Sequence, residues 1–278
     1  MTVENLRLAV LIDGDNAPRD CLKSVMEEIA IYGTPMIKRI YGDWASQNIA
    51  GWKTTLLENA VTPKQQFAYT TGKNATDSAM IIDAMDILYA GKTDGFVLVS
   101  SDSDFTPLAI RLRESGMYVI GIGEQKTPKA FVQACDKFIR VEVLRDRYKK
   151  AEVPVEEEKR TAGKTTASRA KTSAAKGKEE KPAVKPVRKA ADKKQPVPEN
   201  IIELIADSID DLADDDGFID LSNLGNLIIK KQPDFDPRTY GYGKLSTMLK
   251  NLPRFEVEVR PTSDPHVKPI YIRDTEEQ

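Results

Sequence analysis

Histidine is almost missing from this chain: among 278 residues the only one is His266, near the C-terminus. The first 265 residues therefore offer no histidine general base, which argues against a Ser-His-Asp triad or a zinc site. Cysteine is nearly as scarce. Cys21 and Cys135 are far apart, each among apolar residues at helical spacing, which fits reduced core thiols rather than a disulfide or metal pair. No run approaches the roughly 20 apolar residues of a membrane span, and the opening Met1-Thr2-Val3-Glu4 lacks the basic and apolar regions of a signal peptide. A cytoplasmic protein is the expectation. A dominant charge is missing too, since the formal net charge is −2. That balance hides an asymmetry, because residues 159–195 carry roughly ten more Lys and Arg than Asp and Glu, leaving the remainder acidic.

Hydrophobic residues make up 40% of the chain, enough for a real core in one large domain or two ordinary ones. Leu6 to Ile12 is nearly all apolar and runs out at Asp13-Gly14-Asp15-Asn16, the pattern of a buried strand. Pro18 opens a helix with Leu22, Val25, Met26, Ile29 and Ala30 on its apolar face. Pro35 to Gly42 reads as a strand nearer an edge, Asn48 to Asn59 as helix, and Val61 to Tyr69 as strand. A loop through Lys73 leads into a helix from Asp77 to Tyr89, with Met80, Ile81, Ala84, Met85 and Leu88 inward. A strand Gly95 to Ser100, a helix Thr106 to Ser115, a strand Tyr118 to Gly123 and a short helix Ala130 to Cys135 follow. This alternation predicts an α/β domain over residues 1–148, a parallel sheet with helices on both faces.

Across residues 149–199 Ala, Lys, Thr, Pro and Glu dominate and no apolar period survives, so a disordered basic linker is expected. A plain tether and one that also contacts phosphate are both open readings. From residue 200 to 274 three helical patterns and a hairpin, Phe255 to Val259 with Pro269 to Ile272, predict a small winged-helix-like α+β domain.

The chemistry gathers at acids. Asp13 and Asp102 stand at the carboxyl ends of two strands expected to be neighbours at the switch point, where open α/β sheets place their ligands. Their carboxylates would repel unless a divalent cation lay between them, with Asp77 closing the site from the side. Asn74-x-x-Asp77 and Ser101-x-x-Asp104 also match capping boxes, whereas Asp13 and Asp102 cap nothing obvious. Hard oxygen ligands without His or Cys select Mg²⁺ or Mn²⁺ over zinc, and such ions activate water on a phosphodiester without a histidine base. Asn16 either caps the next helix or holds substrate phosphate, and Lys73 either meets a backbone phosphate or stays in solvent. Ser101 and Ser103 complete the candidate substrate-binding set. Gly72-Lys73 lacks the rest of a phosphate-binding loop, Gly121-x-Gly123 lacks its third glycine, and Asp210 to Gly217 fails the calcium-loop pattern because Leu212 occupies the first ligand position.

Leu11-Ile12-Asp13-Gly14-Asp15-Asn16, Thr76-Asp77-Ser78-Ala79-Met80 and Ser100-Ser101-Asp102-Ser103-Asp104-Phe105 together resemble an NYN domain, the LabA-like branch of the PIN-like nucleases, over roughly residues 5–147. The resemblance implies a Rossmann-like sheet and a metal-dependent ribonuclease whose acids map onto Asp13, Asp77, Asp102 and Asp104, with Asn16 beside them. Ser-Ser-Asp stands here where the family commonly has Ser-Gly-Asp. Gly217-Phe218-Ile219, Leu224 and the run Phe235 to Leu245 are similar to an OST-HTH (LOTUS) domain, which implies RNA binding or protein contact, with a second copy or another protein as candidate partner. Arg238, Tyr240, Tyr242 and Lys244 offer cations and stacking faces suited to single-stranded RNA, although the tyrosines can equally pack the small domain. A HAD-type phosphatase using Asp13-x-Asp15, but with Ala17 where Thr or Val is expected, is one rival reading. A non-catalytic RNA-binding adaptor is the other.

Overall fold

A computed structural model of the chain describes residues 5–45, 51–67, 75–145, 195–214, 216–260 and 268–276. Lys73, Asn74, His266 and nearly all of the expected linker lie outside the described residues.

The first domain runs β1 (Leu6–Asp13), α1 (Leu22–Tyr32), β2 (Gly33–Gly42), α2 (Lys53–Asn59), β3 (Thr62–Gln65), α3 (Ala75–Tyr89), β4 (Gly95–Val99), α4 (Thr106–Glu114), β5 (Tyr118–Gly123), α5 (Lys129–Ala134) and β6 (Lys137–Arg140). All six strands are parallel, in the order β3-β2-β1-β4-β5-β6. This is the α/β architecture expected from the sequence. The order reverses between β1 and β4, which are neighbours with Ile12 opposite Val99. β1 shows why its run is apolar without a break. Leu8, Val10 and Ile12 pack on one face with α1 and α2, while Ala9 and Leu11 pack on the other with α3, α4 and α5. A strand covered on both faces has no solvent side on which a polar residue would be tolerated.

Strand β6 was not expected, because Phe138 and Ile139 are flanked by Lys137 and Arg140 and four residues carry too little pattern. On α1, Leu22, Val25 and Ile29 are buried and Met26 packs beside them as expected, but Ala30 faces solvent and Glu28 is buried.

The second domain runs α6 (Glu199–Asp210), β7 (Ile219–Asp220), α7 (Leu221–Lys231), α8 (Leu245–Leu249), β8 (Phe255–Val259) and β9 (Ile270–Asp274). β9 pairs antiparallel with both β8 and β7. Ile201, Ile205 and Ile209 from α6 meet Leu224 and Ile228 from α7, with Met248, Phe255 and Ile272 completing the core. The α+β winged-helix-like expectation holds, with β7 added. No helix among the described residues is long and apolar enough to cross a membrane.

Candidate metal centre at the switch point

The carboxyl ends of β1 and β4 release their chains side by side, and a hydrogen-bonded chain ties the two ends together. Gly14 follows β1 so closely against β2 that its N–H donates to the Tyr41 carbonyl at 2.9 Å, and a Cβ there would lie 2.6 Å from that oxygen. The turn then folds back on Asp13. Its Oδ1 accepts from the amides of Asp15 and Asn16 at 3.1 and 3.2 Å, and its Oδ2 from Asn16 Nδ2 at 2.8 Å and Ser100 Oγ at 2.7 Å. Asp13 is fully buried, and these donors occupy the acceptor capacity of a carboxylate. Ser100 Oγ in turn accepts from the Asp102 amide at 3.0 Å. One buried hydroxyl therefore joins the two strand ends.

Beyond that link the remaining acids converge. Asp77, in the first turn of α3, and Asp102 and Asp104, in the loop after β4, each offer a carboxylate oxygen within 4.8 Å of the others. Burial first, and then the charges of Asp13, Asp102, Asp104 and Asp15, push the Asp77 carboxyl up to about 6. Asp15 is shifted upward by burial and by Asp13, while a hydrogen bond to Thr76 acts in the opposite direction. The donor set is all hard oxygen. Oxygens within 4.8 Å of one another are close to the span of about 4.2 Å across an octahedral Mg²⁺ shell, so the trio suits a hard divalent cation.

Asp13 is outside this trio, hydrogen-bonded to the turn and to Ser100, yet its charge acts on Asp77 more strongly than those of Asp102 and Asp104. The capping assignments also need correction. Asp102, expected to cap nothing, is the N-cap of the 3-10 turn Ser103–Phe105, its Oδ1 accepting from the Asp104 amide at 2.9 Å. Ser101, the expected cap, instead accepts from the Glu124 amide at 2.8 Å and ties the loop to the end of β5. The reason is register: the turn begins at Ser103, one residue later than the Ser-x-x-Asp pattern presumes. Asp13 likewise caps its own turn. Ser103 lies exposed at the start of the short turn. Ser100 is the residue that sequence reasoning missed; the signal available was a polar residue closing an otherwise apolar strand.

Residues 7–142 match the NYN domain family and residues 192–267 match the OST-HTH/LOTUS domain family. The chain carries an NYN domain followed by an OST-HTH/LOTUS domain. NYN domains are a PIN-like nuclease family and OST-HTH/LOTUS domains bind RNA, so a nuclease-type domain and an RNA-binding type share one chain. The uncharacterized protein MJ0482 of Methanocaldococcus jannaschii is 29% identical over 124 residues, which are 43% of this chain and 48% of that protein, so the match spans about half of the relative. Among solved structures, a protein of unknown function from Vibrio parahaemolyticus is similar over 51% of this chain and 96% of its own, at 18% identity and a TM-score of 0.40. An uncharacterized protein from Nitrosomonas europaea covers 36% of this chain and 94% of its own, at 32% identity and a TM-score of 0.28.

In the OST-HTH domain the residues expected to meet RNA have unequal placements. Lys244 is exposed ahead of α8. Tyr242 is buried in the domain core, and Tyr240 packs against it, half-buried. Arg238 faces the NYN domain: its Nη1 and Nη2 donate to the two carboxylate oxygens of Glu28 at 2.9 and 2.7 Å, and its Nε donates to Asp236. These pairings hold the Arg238 guanidinium charge more firmly than usual, the hydrogen bond to Glu28 contributing most.

Proposed function

We propose that the protein is a ribonuclease that hydrolyses RNA phosphodiesters with Mg²⁺ or Mn²⁺ held among Asp77, Asp102 and Asp104. The observation that carries this reading is the approach of three carboxylate oxygens to within 4.8 Å at the switch point of an NYN sheet. Such crowding raises the cost of ionising Asp77, and a divalent cation is what would remove that cost. When bound, the ion would activate a water and neutralise charge on the phosphodiester.

The chain's own residues do the rest. Asp13 holds the Ser100 hydroxyl, which fixes the Asp102 amide and so the start of the acidic loop. Asp102 accepts from the Asp104 amide with Oδ1, and its other oxygen would be available to the ion. Ser101 anchors the loop to β5. Asn16, Ser103 and Lys73 are assigned to the approaching RNA backbone, which the OST-HTH domain helps to recruit. The cytoplasm suits this reading, because Cys21 and Cys135 are buried free thiols.

Replacing Asp102 with Asn tests the assignment. RNA cleavage with Mg²⁺ or Mn²⁺ is expected to fall by about 100-fold or more, by analogy with the loss of metal-site groups. Unchanged cleavage overturns it. The saturation of Asp13 and the capping bond of Asp102 favour one second reading, an RNA-binding adaptor whose acids serve the fold. Full RNA affinity with no turnover at any divalent metal would establish that reading instead. A phosphatase nucleophile at Asp13 needs an open oxygen, and both Asp13 oxygens are hydrogen-bonded in a buried position.

A further inference from the structure

The two domains meet along an element that the proposed chemistry does not use. Strand β6 is the outer strand of the NYN sheet, and an outer strand presents unpaired N–H and C=O groups. Here the segment Pro233 to Arg238 of the OST-HTH domain covers it. The Phe138 amide donates to the Pro233 carbonyl at 3.0 Å, Lys137 Nζ donates to the Phe235 carbonyl at 2.9 Å, and Arg140 pairs with Asp234. One helix away, Glu28, only 1% exposed, takes both ends of the Arg238 guanidinium.

The charges are complementary across this contact. The NYN side supplies Glu28, Lys137 and Arg140; the OST-HTH side supplies Arg238, Asp234 and Asp236. Partly buried pairs of this kind add little net binding energy, because desolvation offsets their attraction, but a mismatched orientation leaves charges unpaired. They therefore select one arrangement. Because both halves belong to one chain, the effective concentration is of millimolar order and a modest interface suffices. The strand Lys137–Arg140, illegible from its own pattern, carries charged ends because those ends meet the second domain.

Resting on the ribonuclease reading, we propose that the OST-HTH domain is a fixed arm of the nuclease, docked through β6 and Glu28, and that this docking sets the register between RNA held by the arm and the bond that is cut. β6 lies two strands from β4, about 10 Å along the sheet at ordinary strand spacing. Arg140 stands opposite Gly123 at the carboxyl end of β5, so the Arg140–Asp234 anchor is at the same end of the sheet as the acids. Glu28, Lys137, Arg140, Asp234 and Arg238 act as positioning residues.

Three forms of the full chain test this: the native protein, Asp234→Arg, and Asp234→Arg combined with Arg140→Asp. Asp234→Arg places two guanidinium groups face to face, whereas the double variant restores opposite charges in exchanged positions. Hydrogen exchange at the Phe138 amide is expected to be slow in the native chain, about tenfold or more faster in the single variant, and slow again in the double. Equal exchange in all three overturns the docking. With a 5′-labelled single-stranded oligoribonucleotide and Mn²⁺, the native and double-variant chains are expected to give the same narrow set of cut positions, and the single variant a broadened set at an undiminished total rate. An identical cut pattern in all three overturns the register. If the native chain cuts no RNA under any metal, the ribonuclease reading and the register fail together, while amide exchange still decides the docking. Arg238→Ala provides an independent undocking variant, expected to match Asp234→Arg in amide exchange.

Discussion

At the scale of single residues, the acids divide by what surrounds them. Asp13 is saturated with donors, and removing its carboxylate leaves the Ser100 hydroxyl and the Asn16 amide without their acceptor. Asp13→Ala is expected to destabilise the fold by about 1–3 kcal/mol, read from urea unfolding of the metal-free chain. Asp77 is the opposite case. Its folded carboxyl titrates near 6 rather than at the ordinary 3.8, because burial and neighbouring acids disfavour its charge. The folded chain therefore binds a proton that the unfolded chain does not bind until lower pH, and stability from this group rises as pH falls from above 6 toward 4. Without metal, Asp77→Asn is expected to raise the Tm at pH 8 and to lose that advantage by pH 4, while abolishing cleavage. No gain at pH 8 would mean that Asp77 is not under the stated electrostatic load. Adding Mn²⁺ to the native chain is expected to raise its Tm, by about 2.7 kcal/mol of stabilisation at a hundredfold excess over the dissociation constant, and much less in Asp102→Asn.

At the scale of elements, the site depends on how closely strand ends approach. Gly14 allows the chain leaving β1 to press on the Tyr41 carbonyl, where a Cβ would sit at 2.6 Å. Gly14→Ala must push β1 and β2 apart at their carboxyl ends. A loss of about 1–3 kcal/mol in thermal unfolding is expected, together with weaker Mn²⁺ binding by calorimetry. The strands and helices of the NYN domain are legible where apolar residues form an unbroken run, as in β1, β4 and β5, or recur at helical spacing, as in α3. β3 is shorter than the sequence suggests and β6 is not signalled by it, because four residues, mostly polar in β3 and half charged in β6, are too few to show a period. The same limit applied to the caps: Ser-x-x-Asp is present in the sequence, but only the starting point of the 3-10 turn decides that Asp102 caps it and Ser101 reaches Glu124 instead.

At the scale of the whole molecule, the docking joins the fates of the two domains. Glu28 is buried where Arg238 of the second domain meets it. The native chain is expected to melt in one calorimetric transition, and Glu28→Arg, which sets two cations against each other, in two. A single unchanged transition in that variant would show that the contact contributes nothing to cooperativity. The run Phe235 to Lys244 shows how a motif can be divided between tasks: Phe235 and Tyr242 fill a core, Arg238 holds the neighbouring domain, and Lys244 remains exposed.

The sequence by itself determined the α/β class, the parallel sheet, the strand ends that carry Asp13 and Asp102, and the hard-oxygen chemistry. Each of these follows from local periodicity or from side-chain type, which a chain displays before it folds. Tertiary structure alone decided which acids converge, that Ser100 bridges two strands, and that Arg238 serves the NYN domain. Those outcomes rest on distances between residues remote in sequence, up to 210 positions apart for Glu28 and Arg238, and no local pattern encodes them.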